Sequence, residues 1–259
     1  MKRPASFVPQ GISVVVPAWN EEQRLPRTLD QYLPLLEAFG LPFEVLVVLD
    51  GVTDRTAEVA KAYESRGVRT LEFPERLGKG GAVLVGFRLA QYNVLGFLDA
   101  DAPITAVSAA YLISELSDSD CTIACRWHPA SNRDRGKPLS RLLLSKTWNL
   151  SVRAILGLRV RDAQCGAKFF RREVVMAVLP RVTLTNWAFD ACLLFHIQRA
   201  GFEVKEVPVN WSDDPGTKLN VDRVAPLMFI SLVGVRLMSM PKLANISRRL
   251  AGRVYAHLS

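Results

Sequence analysis

The 259-residue chain has only four cysteines, Cys121, Cys125, Cys165 and Cys192, and no CxxC pair. That argues against a structural zinc site and for reduced, buried thiols in a cytosolic protein. Lys2 and Arg3 open the chain, but no uninterrupted apolar stretch with a small-residue cleavage site follows, so no signal peptide is expected. The apolar segment 224–240 is broken by Pro226 and Arg236, and its 17 residues fall short of the ~20 that span a bilayer comfortably. Zinc-finger, RNP and helix-turn-helix patterns are missing, as are the P-loop spacing and GxGxxG. Internal repeats and low-complexity tracts are missing too. These absences leave little room for a nucleic-acid-binding module or a repeat array.

What is present suits one large α/β domain with a short appendage. Lysine and arginine number 33 against 25 acids, a formal charge of +8. That balance favours anionic partners without choosing among nucleotides, phospholipid surfaces and nucleic acid. The charge is uneven: residues 221–259 carry six basic side chains (Arg223, Arg236, Lys242, Arg248, Arg249, Arg253) against Asp222, which is +5 of the +8. Short β-branched runs at 12–16 (ISVVV), 45–49 (VLVVL), 70–73, 94–98 (VLGFL) and 122–125 read as strands covered on both faces. Helical patterns at 22–39, 54–63, 80–91 and 105–116 separate them. This alternation predicts a doubly wound α/β sheet with ligands at the carboxyl ends of its strands. Further on, the pattern predicts helices over 139–156 and 189–200 and strands over 167–170 and 204–209. In the tail, Leu243, Ile246, Leu250, Val254 and Leu258 recur at helical spacing opposite Arg248, Arg249 and Arg253. Such a stripe can lie in an anionic membrane interface or pack on its own domain.

Four strand ends carry groups suited to chemistry. After VLGFL come Asp99, Ala100 and Asp101; two carboxylates one residue apart can converge on Mg²⁺ or Mn²⁺, which takes its remaining ligands from phosphates and water. An exposed acidic turn is the plain alternative. After VLVVL, Asp50 can accept hydrogen bonds from a base or ribose, while Asp54 suits a helix cap. After the first strand, PAWNEE (17–22) offers Asn20 as a helix start and Trp19 as a cover for a base ring, or as an ordinary core aromatic. The segment RLGKGG (76–81) puts glycines and Lys79 at a helix start, where backbone amides can approach an anion.

Together these motifs resemble glycosyltransferase family 2, and within it the dolichyl-phosphate glucosyltransferase and polyprenyl-phosphate-mannose synthase branch. The matching stretches are VVPAWNEEQRLP (15–26), VVLDGVTDRT (47–56), RLGKGGAVLVGF (76–87), FLDADAP (97–103), DAQCGAKFFRREV (162–174), NWAFDACLLF (186–195) and VNWSDDPGTKL (209–219), in family order. The QCGAK and VNW…GTKL blocks look more like the glucosyl branch. The resemblance implies a GT-A type, Rossmann-like sheet over 1–220, with 221–259 as a basic amphipathic tail. It also implies site roles. Pro17, Trp19, Glu21, Asp50 and Lys79 would line the nucleotide pocket, with Asp99 on the ribose or metal side and Asp101 on the metal. Arg126, Arg141 and Lys218 would meet phosphate, Asp162 and Gln164 would line the sugar and acceptor pocket, and Asp190 would lie near the acceptor. Three positions depart from the family pattern: Leu49 stands where a first aspartate is usual, Val52 where serine is usual and Trp19 where tyrosine is usual. The eukaryotic branch usually carries an amino-terminal membrane helix; the expectation here is that the tail makes the membrane contact instead.

The implied activity is transfer of a hexose, with glucose from UDP-glucose favoured, to a polyprenyl or dolichyl phosphate at the cytoplasmic face of a membrane. A GDP-mannose-dependent enzyme and a family 2 enzyme with a soluble hydroxyl acceptor are the enzymatic alternatives. A hydroxyl acceptor needs a general base such as Asp190, because its proton must leave. A phosphate acceptor, largely dianionic at neutral pH, does not. A basic membrane- or nucleic-acid-binding protein without catalysis is the remaining reading, and no nucleic-acid partner is expected.

Overall fold

The computed structural model describes residues 7–133, 139–186, 188–212 and 221–240. The apolar runs become strands β1 (Ile12–Ala18), β2 (Phe43–Asp50), β3 (Val68–Phe73), β4 (Val94–Leu98) and β5 (Cys121–Cys125). Their side chains alternate between two cores. Val15, Leu46, Val48, Leu95, Phe97 and Ile123 face one layer of helices, and Val14, Val16, Val45, Val47 and Leu49 face the other. Burial on both faces explains why these strands read as continuous apolar runs rather than alternating ones.

The helices that cover them are α1 (Leu25–Ala38), α2 (Thr56–Lys61), α3 (Gly78–Leu89) and α4 (Ala106–Ser114). α1 turns Leu25, Leu29, Leu33 and Leu36 to the sheet, a stripe at helical spacing. Thr105 caps α4 by accepting the Ser108 N–H, and Asp54 accepts the Thr56 N–H at the start of α2, as its place before that helix suggests. Gly67, at φ +82°, closes the turn into β3.

The second half holds β6 (Asn132–Arg133), α5 (Leu139–Leu156), β7 (Ala167–Arg171), α6 (Arg172–Val178), α7 (Phe189–Arg199), β8 (Val204–Pro208), β9 (Asn210–Trp211) and α8 (Val221–Met238). The seven-stranded sheet has the order β3-β2-β1-β4-β7-β5-β8. β7 is antiparallel to both β4 and β5, while the other pairings are parallel. The doubly wound expectation therefore holds with one reversed strand inside it. The reversal matters for the site. Leu98 pairs with Ala167, so the loop preceding β7 arrives at the edge where β4 and β5 end. α6 and the two-residue parallel ribbon of β6 and β9 were not anticipated; elements this short carry no resolvable periodicity.

α8 is apolar on two sides. Met228, Ser231, Leu232 and Val235 are buried, and Leu232 and Val235 join the core shared with α7. Asn186 donates to the Ser231 hydroxyl (3.0 Å). Leu227, Phe229, Ile230, Val233 and Leu237 are exposed on the outer side. Among the described residues, no helix is long and apolar enough to cross a membrane. The stripe read from Leu243 onward lies outside the described residues.

Candidate active site

The five buried residues of β4 deliver Asp99 and Asp101 to the sheet edge. The Asp99 amide donates to the Gly166 carbonyl (2.9 Å), and its carboxylate lies against the Gly166 backbone. A Cβ on Gly166 would fall 1.8 Å from Asp99 Oδ2; glycine is required there because two chain segments meet. The turn that follows places Ala102 at φ +46°, a conformation costly for alanine. α1 ties the turn down: the Thr28 hydroxyl donates to Ala100 O (2.6 Å) and the Tyr32 hydroxyl to Ile104 O (2.7 Å).

Asp101 Oδ1 is buried and, among the described residues, has no hydrogen-bond partner. Burial, reinforced by the neighbouring Asp99 charge, pushes the Asp101 pKa up to about 6. An orphaned carboxylate oxygen costs about 1–3 kcal/mol. A hard divalent cation between Asp99 and Asp101 would remove that penalty and the mutual repulsion, so this pair fits the Mg²⁺ or Mn²⁺ expected from the sequence. Among the described residues no group of three potential metal-ligating side chains occurs, so phosphate and water would complete the coordination.

The end expected from the sequence to hold the nucleotide is built by the loops after β1 and β2. Trp19 is 41% exposed and lies under the Arg76 guanidinium, whose Cζ is 3.9 Å from the ring centroid. Asp50 is buried, taking the Arg76 Nε on Oδ2 (3.1 Å) and the Leu77 N–H on Oδ1. Asp50 thus anchors the 76–79 loop, with Arg76 bridging it to Trp19. In the sequence Arg76 stands only as part of a loop segment, and no motif marks its reach across to Trp19. Half-buried Pro17 precedes Trp19 at the end of β1. Glu21 is held by both nitrogens of a bidentate Arg24 (2.5 and 2.6 Å). Asn20, whose type suits a helix start, does not begin one; α1 starts at Leu25. At φ +55° it exchanges hydrogen bonds with Thr53, clipping the first two loops together.

The glycines at the start of α3 also differ from expectation. The Gly80 N–H is taken by the Thr185 carbonyl (2.8 Å), and a Cβ on Gly80 would lie 2.6 Å from Phe189. They allow α3 to pack closely on the segment entering α7, so this amide is not offered to an anion. That packing brings Lys79 to Asp99 (2.8 Å) and Asp190 (3.6 Å). Burial opposes the Lys79 charge, but Asp190 and Asp99 outweigh it and hold the pKa above the ordinary lysine value.

Asp190, in the first turn of α7, is 2% exposed. Its Oδ1 pairs with the ammonium of Lys168 (2.5 Å), a fully buried lysine on β7 that the sequence reading did not single out. Burial would raise the Asp190 pKa, yet Lys168 and Lys79 hold it below the usual carboxylate range. Asp162 is equally committed. Its oxygens accept the Arg126 backbone N–H (3.0 Å), Nε (2.7 Å) and Nη2 (2.8 Å), and Arg126 outweighs burial to keep its pKa low. The other face of Arg126 lies against Trp211 of β9, 4.9 Å from the ring centroid. Gln164 sits half-buried on the loop between Asp162 and β7. Arg141 falls within α5, but its side chain lies outside the described residues, as does Lys218 altogether.

Residues 13–179 match the profile described as Glycosyl transferase family 2. The chain is 36% identical over 231 residues to Glycosyltransferase AglD of Haloferax volcanii, covering 86% of this chain and 36% of that protein, so it spans about a third of that relative's length. It is 35% identical to the Dolichyl-phosphate beta-glucosyltransferase of Drosophila melanogaster and 33% identical to that of Homo sapiens, in each case over 80% of this chain and 69% of the relative. Among solved structures, glucosyl-3-phosphoglycerate synthase from Mycobacterium tuberculosis in complex with UDP superposes with a TM-score of 0.66 at 22% identity, covering 88% of this chain and 79% of that one. The same enzyme with Mn²⁺, UDP and glucosyl-3-phosphoglycerate gives 0.64 at 20% identity over the same shares. At such identity these structures establish the fold, while the profile and the closer relatives establish the lineage: the chain belongs to glycosyl transferase family 2 and is a glycosyltransferase.

Proposed function

We propose that the protein transfers a hexose, glucose from UDP-glucose in first place, to a polyprenyl or dolichyl phosphate, with inversion at the anomeric carbon. The observation that carries this reading is the state of the two acceptor-side carboxylates. Asp190 and Asp162 are buried, ion-paired and held below the usual carboxylate pKa. A carboxylate so placed is a poor proton acceptor. A hydroxyl acceptor needs one, whereas a phosphate monoester, with a second pKa near ~6, arrives largely deprotonated. The names of the dolichyl-phosphate glucosyltransferase relatives point the same way.

In the proposed step an acceptor phosphate oxygen forms the bond to the anomeric carbon as the bond from that carbon to the donor diphosphate breaks. The electron pair leaves on the β-phosphate. Lys79 lies where it can meet the developing charge, and Arg126, oriented by Asp162, can hold the acceptor phosphate. A divalent cation on Asp99 and Asp101 would supply Lewis-acid stabilisation of the leaving diphosphate. Arg76 and Trp19 would enclose the base.

The reading includes an anionic membrane at the cytoplasmic face as the place of reaction. It is supported by the outward Leu227, Phe229, Ile230, Val233 and Leu237 of α8, together with the basic residues of 221–259.

The test is transfer of radiolabelled sugar to polyprenyl phosphate from UDP-glucose and GDP-mannose in parallel, with Mg²⁺ and with chelator. Chelator-sensitive lipid product from UDP-glucose is expected. Product from GDP-mannose alone would keep the mechanism and change the donor. Binding of either donor without lipid product would point to a soluble acceptor.

A further inference from the structure

We propose that Lys168 is a positioning residue for the reaction: acting through Asp190, it sets the Lys79 ammonium against Asp99 rather than letting Asp190 capture it. The inference rests on the metal reading of Asp99 and Asp101 and goes beyond the roles given above. Lys168 is wholly buried on β7, an interior strand of the sheet beside β4, an unusual place for a lysine. Its ammonium donates to Cys165 O (2.6 Å) and to Asp190 Oδ1 (2.5 Å). The second oxygen of Asp190 is 3.6 Å from the Lys79 ammonium, which lies closer to Asp99, at 2.8 Å. Both ammonium groups flank the Phe97 ring, at 5.4 Å for Lys79 and 5.2 Å for Lys168. Phe97 pairs directly with Lys168 across β4 and β7.

The order along this buried chain is therefore Lys168, Asp190, Lys79, Asp99. Lys168 saturates one side of Asp190 and weakens its hold on Lys79. Lys79 is left paired with Asp99 at 2.8 Å and only loosely with Asp190 at 3.6 Å. When a cation reaches Asp99, Lys79 is displaced from that carboxylate and its charge becomes available to the donor diphosphate. Without Lys168, Asp190 would draw Lys79 to itself, freeing Asp99 for cations but withholding the ammonium from phosphate.

The test uses Lys168→Met, Lys79→Met and the double variant, with Mn²⁺ binding followed by electron paramagnetic resonance and metal-free UDP binding by calorimetry. Lys168→Met is expected to tighten Mn²⁺ about five-fold or more and to weaken UDP by a similar factor; a merely disrupted site would weaken both. Loss of a nearby positive charge could also move the two affinities apart, so the decisive reading is the double variant. If Lys168 acts through Lys79, adding Lys168→Met to Lys79→Met changes either affinity by less than about two-fold. An equal effect in both backgrounds overturns the inference. Should Lys168→Met fail to fold, Lys168→Met combined with Asp190→Asn buries no unpaired charge. That pair leaves Lys79 with Asp99 alone, so Mn²⁺ should bind more weakly than to the unsubstituted protein, and unchanged binding overturns the inference. An unsubstituted protein that binds no Mn²⁺ removes the metal site itself, whereas Mn²⁺ binding indifferent to Lys168 removes only this role.

Discussion

At the end of β4, Asp101 keeps a buried oxygen without a partner among the described residues and a pKa raised to about 6. At the same edge, Asp162 and Asp190 are at least as deeply buried, yet their oxygens are occupied by Arg126, Lys168 and Lys79 and their pKa values are depressed. The same residue type thus has opposite electrostatics on the two sides. One side is short of positive charge and suits a cation; the other already holds its cations and suits phosphate. The difference follows from the chain direction of β7, which brings Asp162 and Lys168 to the edge where β4 and β5 end.

The largest effect expected is on the saturated side. Asp162→Asn removes the buried partner of half-buried Arg126 and should destabilise the fold by about 3 kcal/mol, read by denaturant unfolding. The pH dependence has a definite sign. A depressed folded pKa contributes stability that is fully present above the unfolded aspartate value of about 3.9 and is lost as pH falls through the lower folded value. The unsubstituted protein should lose this increment in acid, and Asp162→Asn should show a flatter profile below about pH 4.

Next is the unsaturated side. Asp101→Asn should cut metal-dependent transfer by about 100-fold while sparing metal-free nucleotide binding, since it removes a proposed ligand but, among the described residues, no ion pair. An equal loss of fold stability in this variant and in Asp162→Asn would erase the contrast. A finer test avoids both carboxylates. Gly166→Ala inserts a methyl where Asp99 Oδ2 sits and should weaken Mn²⁺ about 10-fold or more, with the circular dichroism spectrum unchanged.

The smallest change in stability is expected on the outer side of α8. Phe229→Ser, on its outer side, should alter stability by no more than about 0.5 kcal/mol but reduce flotation with anionic phosphatidylglycerol vesicles. Leu232→Ala, on its buried side, should cost about 2–5 kcal/mol. A helix with these two faces separates packing from the proposed docking within one element.

Much of the first half was legible because β-branched runs and helical stripes have periods that a few residues reveal. Asp99 and Asp101 were legible because a strand end aims its next residues at the ligand edge. Arg76 and Lys168 were not. Arg76 acts only because two loops bring Trp19 and Asp50 under it, and Lys168 reads as one more strand residue until Asp190 is folded against it, 22 positions away. The glycines of 78–81 look like an anion cradle in one dimension and prove to be close-packing points against Thr185 and Phe189. Asn20 looks like a cap and is a clip between loops.

By itself, then, the order of apolar runs and the residues following them determined the α/β class, the strand ends that carry the candidate site, and the family. Only the tertiary structure decided which way β7 runs, and with it which acidic residues keep their charge unpaired. Local periodicity sets secondary structure, but a carboxylate's partners are chosen by residues distant in the chain that share one low-dielectric site, where pairing governs its charge.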